Sequence, residues 1–278
     1  FHELMRQLRF ERGEVKVRSY LPLSFPLGSV LQMDHGEVDC IMACGRGKCY
    51  LFVVAVPGFQ LRYCQVFPVK SSEAWGEFHE RAFVFFGGIF PRVMVDNDSV
   101  LVIEIMGNDR RQTNFALSLQ EHYRFTINYC QPASGNEKGS VENSVGYCRR
   151  NYLVGCPEIL NWDKANKDLE DNCRAECDAE IMASLQANML PLVPRREWRK
   201  WLEVHVNSYQ LVSVENRRYS VPERYVGALV RVGLGIFDLK IFDNEQCIAT
   251  HARQFAERDS LMLDHYLDQL KRKPGALW

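Results

Sequence analysis

The sequence lacks any apolar run of the ~18 residues that a membrane-spanning helix requires, so no membrane role is expected. It also lacks a surplus of charge of either sign: 34 Lys and Arg face 35 Asp and Glu, for a formal net of -1. Bulk attraction to a polyanion is thereby excluded, and any contact with nucleic acid has to come from local clusters. Neither a GxGxxG nor a Walker pattern occurs, which removes the usual phosphate-cradling loops and predicts no ATP site. No internal repeat and no low-complexity segment is present, so a repeat array is not expected. No secretory signal precedes the ten cysteines, at Cys40, Cys44, Cys49, Cys64, Cys130, Cys148, Cys156, Cys173, Cys177 and Cys247, which points to a reduced, cytosolic protein. Cys44 with Cys49 and Cys173 with Cys177 have zinc-like spacings but no second pair at finger-like distance, and they read as buried or incidental thiols. The first residue is Phe1, not methionine, and an upstream part is expected to be missing.

What is present is apolar material for one substantial core and a second, smaller one: 278 residues at 46% hydrophobic favour two domains. Residues 1–28 combine a charged, helix-like stretch with "SYLPLSFPLGS" and read as a linker. "SVLQMDHGEVDCIMA", "KCYLFVVAVPG" and "LRYCQVFPV" are strand-like runs whose connections are short enough for an antiparallel meander. "SSEAWGEFHERAFVFFGG" places Trp75, Phe78, Ala82 and Phe85 at helical spacing behind a capping serine, and Gly87-Gly88 stops it. "RVMVDND" fits a buried strand ending in acids, "QTNFALSLQEHYR" a helix and "FTINYC" a strand, while "VLVIEI" is a further strand or an extended excursion. A polar turn with Pro132, Gly135 and Gly139 then leads into a helix that stacks Glu142 and Arg149 on one face, because seven residues are nearly two turns. This order implies a mixed α/β sheet with helices on both faces, since a parallel crossover needs a helix.

The pattern changes after Pro157. "DKANKDLEDNCRAECDAEIMASLQANML" reads as one long polar helix, "PLVPRREWRKW" as a basic connector, and the runs from Val204 to His251 as the strands of a small β-barrel. A short helix and basic tail follow. The expected division is 1–28 linker, 29–156 core, 157–202 helical basic connector, 203–256 barrel and 257–278 C-terminal helix and tail.

Three acids stand out: Asp34 in the first strand, Asp96 at the end of "RVMVD", and Glu142 in the helix after the Gly-containing turn. Asp39 lies on the opposite strand face from Asp34, Asp98 reads as a turn residue bonding nearby backbone, and Glu137 precedes the helix. Converging carboxylates would repel and protonate unless a cation joined them, and Mg²⁺ favours such hard oxygen donors.

Together "LQMDHGE", "VMVDN", "HYRFTINYCQPASGNEKGSVENSVGYCRRNYL", "NRRYSVPERYVG" and "DHYLDQLKRKPGA" resemble the transposases of IS21-type bacterial insertion sequences over nearly the whole chain. The resemblance implies a DDE-type core of RNase H-like, retroviral integrase-type fold, with Asp34, Asp96 and Glu142 as both the catalytic and the metal-binding triad. It further implies Mg²⁺, with Mn²⁺ as a substitute, in the cleavage of element ends and strand transfer of the 3′-hydroxyl into target DNA. The partners it implies are element-end and target DNA, further copies of the chain and an AAA+ ATPase helper, in the bacterial cytoplasm at the nucleoid. The family's N-terminal helix-turn-helix region has no counterpart in residues 1–28, and His35 stands where an aromatic is expected. Lys138, Asn143, Arg149, Arg150, Arg217 and Arg218 are the candidate DNA contacts, by charge and, for the first four, by nearness to Glu142. A non-cutting remnant that only binds DNA and multimerises is the alternative.

Overall fold

The computed structural model describes residues 25–43, 45–106, 109–130, 139–255 and 259–272. Most of the expected linker, Cys44, the turn with Pro132, Gly135, Glu137 and Lys138, and the tail from Lys273 lie outside the described residues.

Apolar runs joined by short turns make β1 (Val30–Met42), β2 (Gly45–Ala55) and β3 (Arg62–Phe67) an antiparallel meander, with the sheet buried on both faces along β3 and the second half of β2. The β2–β3 turn closes where Val56 N–H donates to Leu61 O at 2.9 Å, with Gly58 at φ +81°, a conformation costly for any residue with a Cβ. Helix α1 (Ser72–Phe86) starts behind Ser71, whose hydroxyl accepts from Ala74 N–H, and stops at Gly87 in the left-handed region. It returns the chain to β4 (Arg92–Val95), which therefore runs parallel to β1. The "VLVIEI" excursion is β5 (Val102–Met106), which pairs only with β6 (Asp109–Gln112) as a separate hairpin. Helix α2 (Asn114–Tyr123) then leads to β7 (Thr126–Tyr129), parallel to β4. Helix α3 (Gly139–Asn151), β8 (Glu158–Ile159), which pairs with the far end of β1, and α4 (Trp162–Ala175) complete this part. The sheet order is β3-β2-β1-β4-β7, with β8 beside β1.

Two expectations need correction. The long polar helix is broken: α4 ends at Ala175, and α5 (Ala179–Leu185) restarts behind Asp178, whose carboxylate accepts from Glu180 and Ile181 N–H. The barrel is not closed among the described residues. β9 (Lys200–His205), the hairpin β10 (Leu211–Val214)–β11 (Arg217–Ser220), β12 (Leu229–Leu234), β13 (Asp238–Asp243) and β14 (Gln246–Ala252) form a sheet of order β14-β13-β12-β9 with the hairpin apart. The two-residue turn Glu215-Asn216, both at positive φ, satisfies the hairpin internally, and β9 and β14 remain edges. Val212, Tyr219, Val221, Val232, Leu239 and Ile241 are buried in one core between sheet and hairpin. The C-terminal helix is α6 (Leu267–Arg272).

α1 joins the two parts. Its Gly76 leaves a notch that Trp198 fills: a Cβ there would lie 2.2 Å from the indole Cγ. The indole N–H donates to Tyr123 Oη at 3.2 Å, and Tyr123 donates to the buried Glu80 carboxylate at 2.6 Å. Among the described residues no helix is long and apolar enough to cross a membrane.

Two measurements probe α1. Gly76→Ala adds about 1 kcal/mol of intrinsic helix preference, yet it drives a methyl into Trp198, and overpacking of that kind costs about 1–3 kcal/mol. A lower urea midpoint is expected, and a higher one would show that the notch is not filled. His79, buried with Nδ1–H donating to Trp75 O at 2.7 Å and Nε2 without a protein partner, is held down to about 4 by burial. Below the ordinary value near 6.5 the unfolded chain takes the proton first, so wild type loses stability as pH falls from about 6.5 to 4. His79→Phe is expected to flatten that slope in urea titrations run across the same pH range.

Candidate active site

The β1–β4 register runs Val30 beside Arg92, Leu31 beside Val93 and Gln32 beside Met94. Continued by two residues, it sets Asp34 level with Asp96 on neighbouring strands, which lie ~4.8 Å apart, with both side chains on the same face of the pleat. That face is the one α3 covers, because a Cβ on Gly36 would meet Arg149 Nη2 at 2.2 Å and Val145 Cγ1 at 3.4 Å. Glu142 sits three residues before Val145, roughly one turn or 4.5 Å along the axis, in the exposed first turn of α3. Asp34 is half-buried and accepts from His35 N–H at 2.8 Å, whereas Asp96 is exposed and accepts from Asn97 N–H at 2.8 Å. Asp34 thus lies inside β1, Asp96 just past the end of β4, and Glu142 on the helix that covers the Asp34 face of the sheet. Among the described residues no three His, Cys, Asp or Glu side chains lie close enough to hold a metal ion.

The opposite face of β1 carries His35, whose ring lies 5.6 Å from Phe52 and 5.9 Å from Trp75 of α1. It fills an aromatic position and adds a charge: Nε2 is 2.8 Å from Asp98 Oδ2, which also accepts from Lys70 Nζ at 3.0 Å. Burial alone would lower the imidazole, but the Asp34 carboxylate 3.8 Å from Nδ1, the hydrogen bond to Asp98 and the Asp98 charge outweigh it and raise it to about 9. Burial would raise Asp98, but hydrogen bonds from His35, Val100 N–H and Lys70 hold it well below the usual carboxylate range. The expected turn bond of Asp98 is present, to Val100 N–H at 2.8 Å. Its ion pairs with His35 and Lys70 were not legible, because they join segments far apart in sequence.

The candidate DNA contacts differ in how they are placed. Arg149 reaches down from α3 and donates to Glu37 O at 2.5 Å, tying the helix to β1. Asn143 and Arg150, again seven residues apart, are both exposed on α3. Lys138 lies outside the described residues. Arg217 donates to Glu215 O and Phe255 O, and Arg218 makes a two-pronged pair with Asp259 at 2.9 and 2.6 Å, so both have internal partners in the C-terminal part. The cysteines at 40, 49, 64, 130, 148 and 173 are buried thiols outside any disulfide, with Cys64 and Cys173 sulfurs 3.7 Å apart.

Comparison with known proteins adds the family. Residues 190–263 match the family profile described as Mu transposase, C-terminal domain. The transposase for insertion sequences IS1326/IS1353 of Pseudomonas aeruginosa is 30% identical over 281 residues, covering 93% of this chain and 54% of that protein. The transposase for insertion sequence element IS21 of the same organism is 30% identical over 236 residues, covering 80% of this chain and 60% of its own length. Among solved structures, a simian T-cell lymphotropic virus intasome in complex with PP2A regulatory subunit B56 gamma aligns at 12% identity, covering 86% of this chain and 84% of that one, with a TM-score of 0.43. The chain belongs to the family of IS21-type insertion-sequence transposases. It spans about half the length of the IS1326/IS1353 relative.

Arg149→Ala removes a hydrogen bond from a charged donor, and because the guanidinium is exposed the expected loss is only about 1 kcal/mol in urea unfolding. An unchanged midpoint would show that this contact does not hold α3 to β1.

Proposed function

We propose that this chain is the catalytic and C-terminal portion of a DDE transposase of RNase H-like fold, which cleaves insertion-element DNA ends and transfers the 3′-hydroxyl into target DNA. The observation that supports the reading is the parallel β1–β4 register, which, carried two residues past its last pair Gln32–Met94, would bring Asp34 level with Asp96 on the sheet face that α3 covers. Those three carboxylates would hold Mg²⁺, with Mn²⁺ as a substitute, and their all-oxygen donor set suits a hard cation. When bound, the metal supplies the Lewis-acid and charge-neutralising chemistry that phosphodiester transfer needs.

The chain's own residues bind and orient. Asp34 would present oxygen donors from within β1 and Asp96 from just past β4, and Glu142 would complete the set from α3. Arg149 fixes α3 against β1, and Asn143 and Arg150, exposed on α3, would meet DNA phosphates, as would Lys138. No side chain acts as a covalent nucleophile, so catalysis is positioning and charge neutralisation. Arg217 and Arg218 would reach DNA only by leaving or sharing their present partners. Element-end and target DNA, further copies of the chain and an AAA+ ATPase helper are the partners this reading requires, in the bacterial cytoplasm at the nucleoid.

One observation favours a second reading, a non-cutting relative that binds DNA and multimerises: three acids are not gathered at metal-binding distance among the described residues. A strand-transfer assay with pre-cleaved element ends and Mg²⁺ separates the two. The transposase reading expects wild-type product and a loss on the order of 10³-fold in each of Asp34→Asn, Asp96→Asn and Glu142→Gln, with DNA binding retained. Binding without product in wild type would support the non-cutting relative.

A further inference from the structure

Asp96 is followed two residues later by a second aspartate, and the two have opposite surroundings. Asp96 is exposed at the strand end, whereas the Asp98 side chain is only 3% exposed. Three separate segments meet at Asp98. Its Oδ2 accepts from His35 Nε2 of β1 at 2.8 Å and from Lys70 Nζ, ahead of α1, at 3.0 Å, and its Oδ1 accepts from Val100 N–H at 2.8 Å. Its own N–H donates to Asp96 O at 2.8 Å, so the backbone that carries Asp96 is pinned by the residue it precedes. On the other side, His35 N–H donates to Asp34 Oδ1 at 2.8 Å.

We propose that Asp98, with His35 and Lys70, is the positioning set of the metal centre: it locks the Asp34 end of β1 to the Asp96 end of β4. The proposal rests on the reading of Asp34 and Asp96 as metal ligands. A buried carboxylate is tolerated when hydrogen-bond donors meet it, and here His35 Nε2 and Lys70 Nζ both come from outside its own loop, so the contacts tie that loop to β1 and to the segment ahead of α1. The same pairing withholds Asp98 from an incoming divalent ion and leaves Asp96 as the donor of the Asp-Asn-Asp run. His35 serves twice, as an aromatic against Phe52 and Trp75 and as the cation on Asp98. Groups around a metal ligand that fix its orientation typically govern affinity by 10- to 100-fold.

The test is calorimetric titration of Mn²⁺ into the full chain as wild type, Asp34→Asn, Asp98→Asn and His35→Phe, with circular dichroism and thermal melting on each. His35→Phe keeps the aromatic packing and removes only the ion pair. The expected result is binding by wild type, none by Asp34→Asn, and affinity weakened about 10-fold in Asp98→Asn and His35→Phe with unchanged spectra. Wild-type Mn²⁺ affinity in both folded variants would overturn the positioning role while leaving the metal centre standing. If Asp98→Asn does not fold, His35→Phe decides; if neither folds, the set is structural and the proposal fails. Absence of Mn²⁺ binding by wild type would remove the metal-centre reading itself, and this inference with it.

Discussion

The site depends on one pairing, the parallel contact between β1 and β4. The pairs Val30–Arg92, Leu31–Val93 and Gln32–Met94, carried on by two residues in the same direction, would bring the two aspartates to one level on one face of the sheet. Such a crossover requires a helix, and α1 supplies it. The same helix packs Trp75 against His35, so the element that makes the register possible also backs the residue next to Asp34.

α1 has a second office on its other flank. Glu73, Glu77 and Glu80 follow at helical spacing and are all buried, an arrangement that costs free energy unless each finds a donor or cation. Each does. Arg253 lies 3.8 Å from Glu73, Arg81 and Arg195 donate to Glu77 at 2.7 and 3.0 Å, and Tyr123 donates to Glu80. Arg253, Arg195 and Trp198 all belong to the C-terminal part or its connector, so one helix holds the acid-bearing sheet on one side and the downstream region on another. This is why the basic connector is partly consumed in internal pairing.

The strands and helices of the core were legible because each is a local pattern: strand-like runs with short connections for β1 to β3, a serine cap and a double glycine around α1, a strand ending in acids at β4. Adjacency of the first and fourth strands followed from the family's fold, not from periodicity. What could not be read has a common cause, namely that it is settled by distant residues. Gly76 interrupts a good helix for no local reason, and that interruption was the available signal for a side chain packed against the backbone. Asp178 as a second helix start was hidden by the polar run around it. Strand propensity between Val204 and His251 showed strands but not closure, because closure is a matter of stagger between edges. The candidate triad was legible as residue types, and its third member, Glu142, lies on α3, whose lead-in turn is outside the described residues.

If Asp34 and Asp96 act as proposed, one divalent cation joins their carboxylates. Crystals of the chain grown with Mn²⁺ and measured near the manganese absorption edge address it directly. The account predicts an anomalous peak in direct ligation by both carboxylates, on the α3 side of the sheet. A peak bound to other residues, or ordered Asp34 and Asp96 side chains with no peak between them at saturating Mn²⁺, would contradict it.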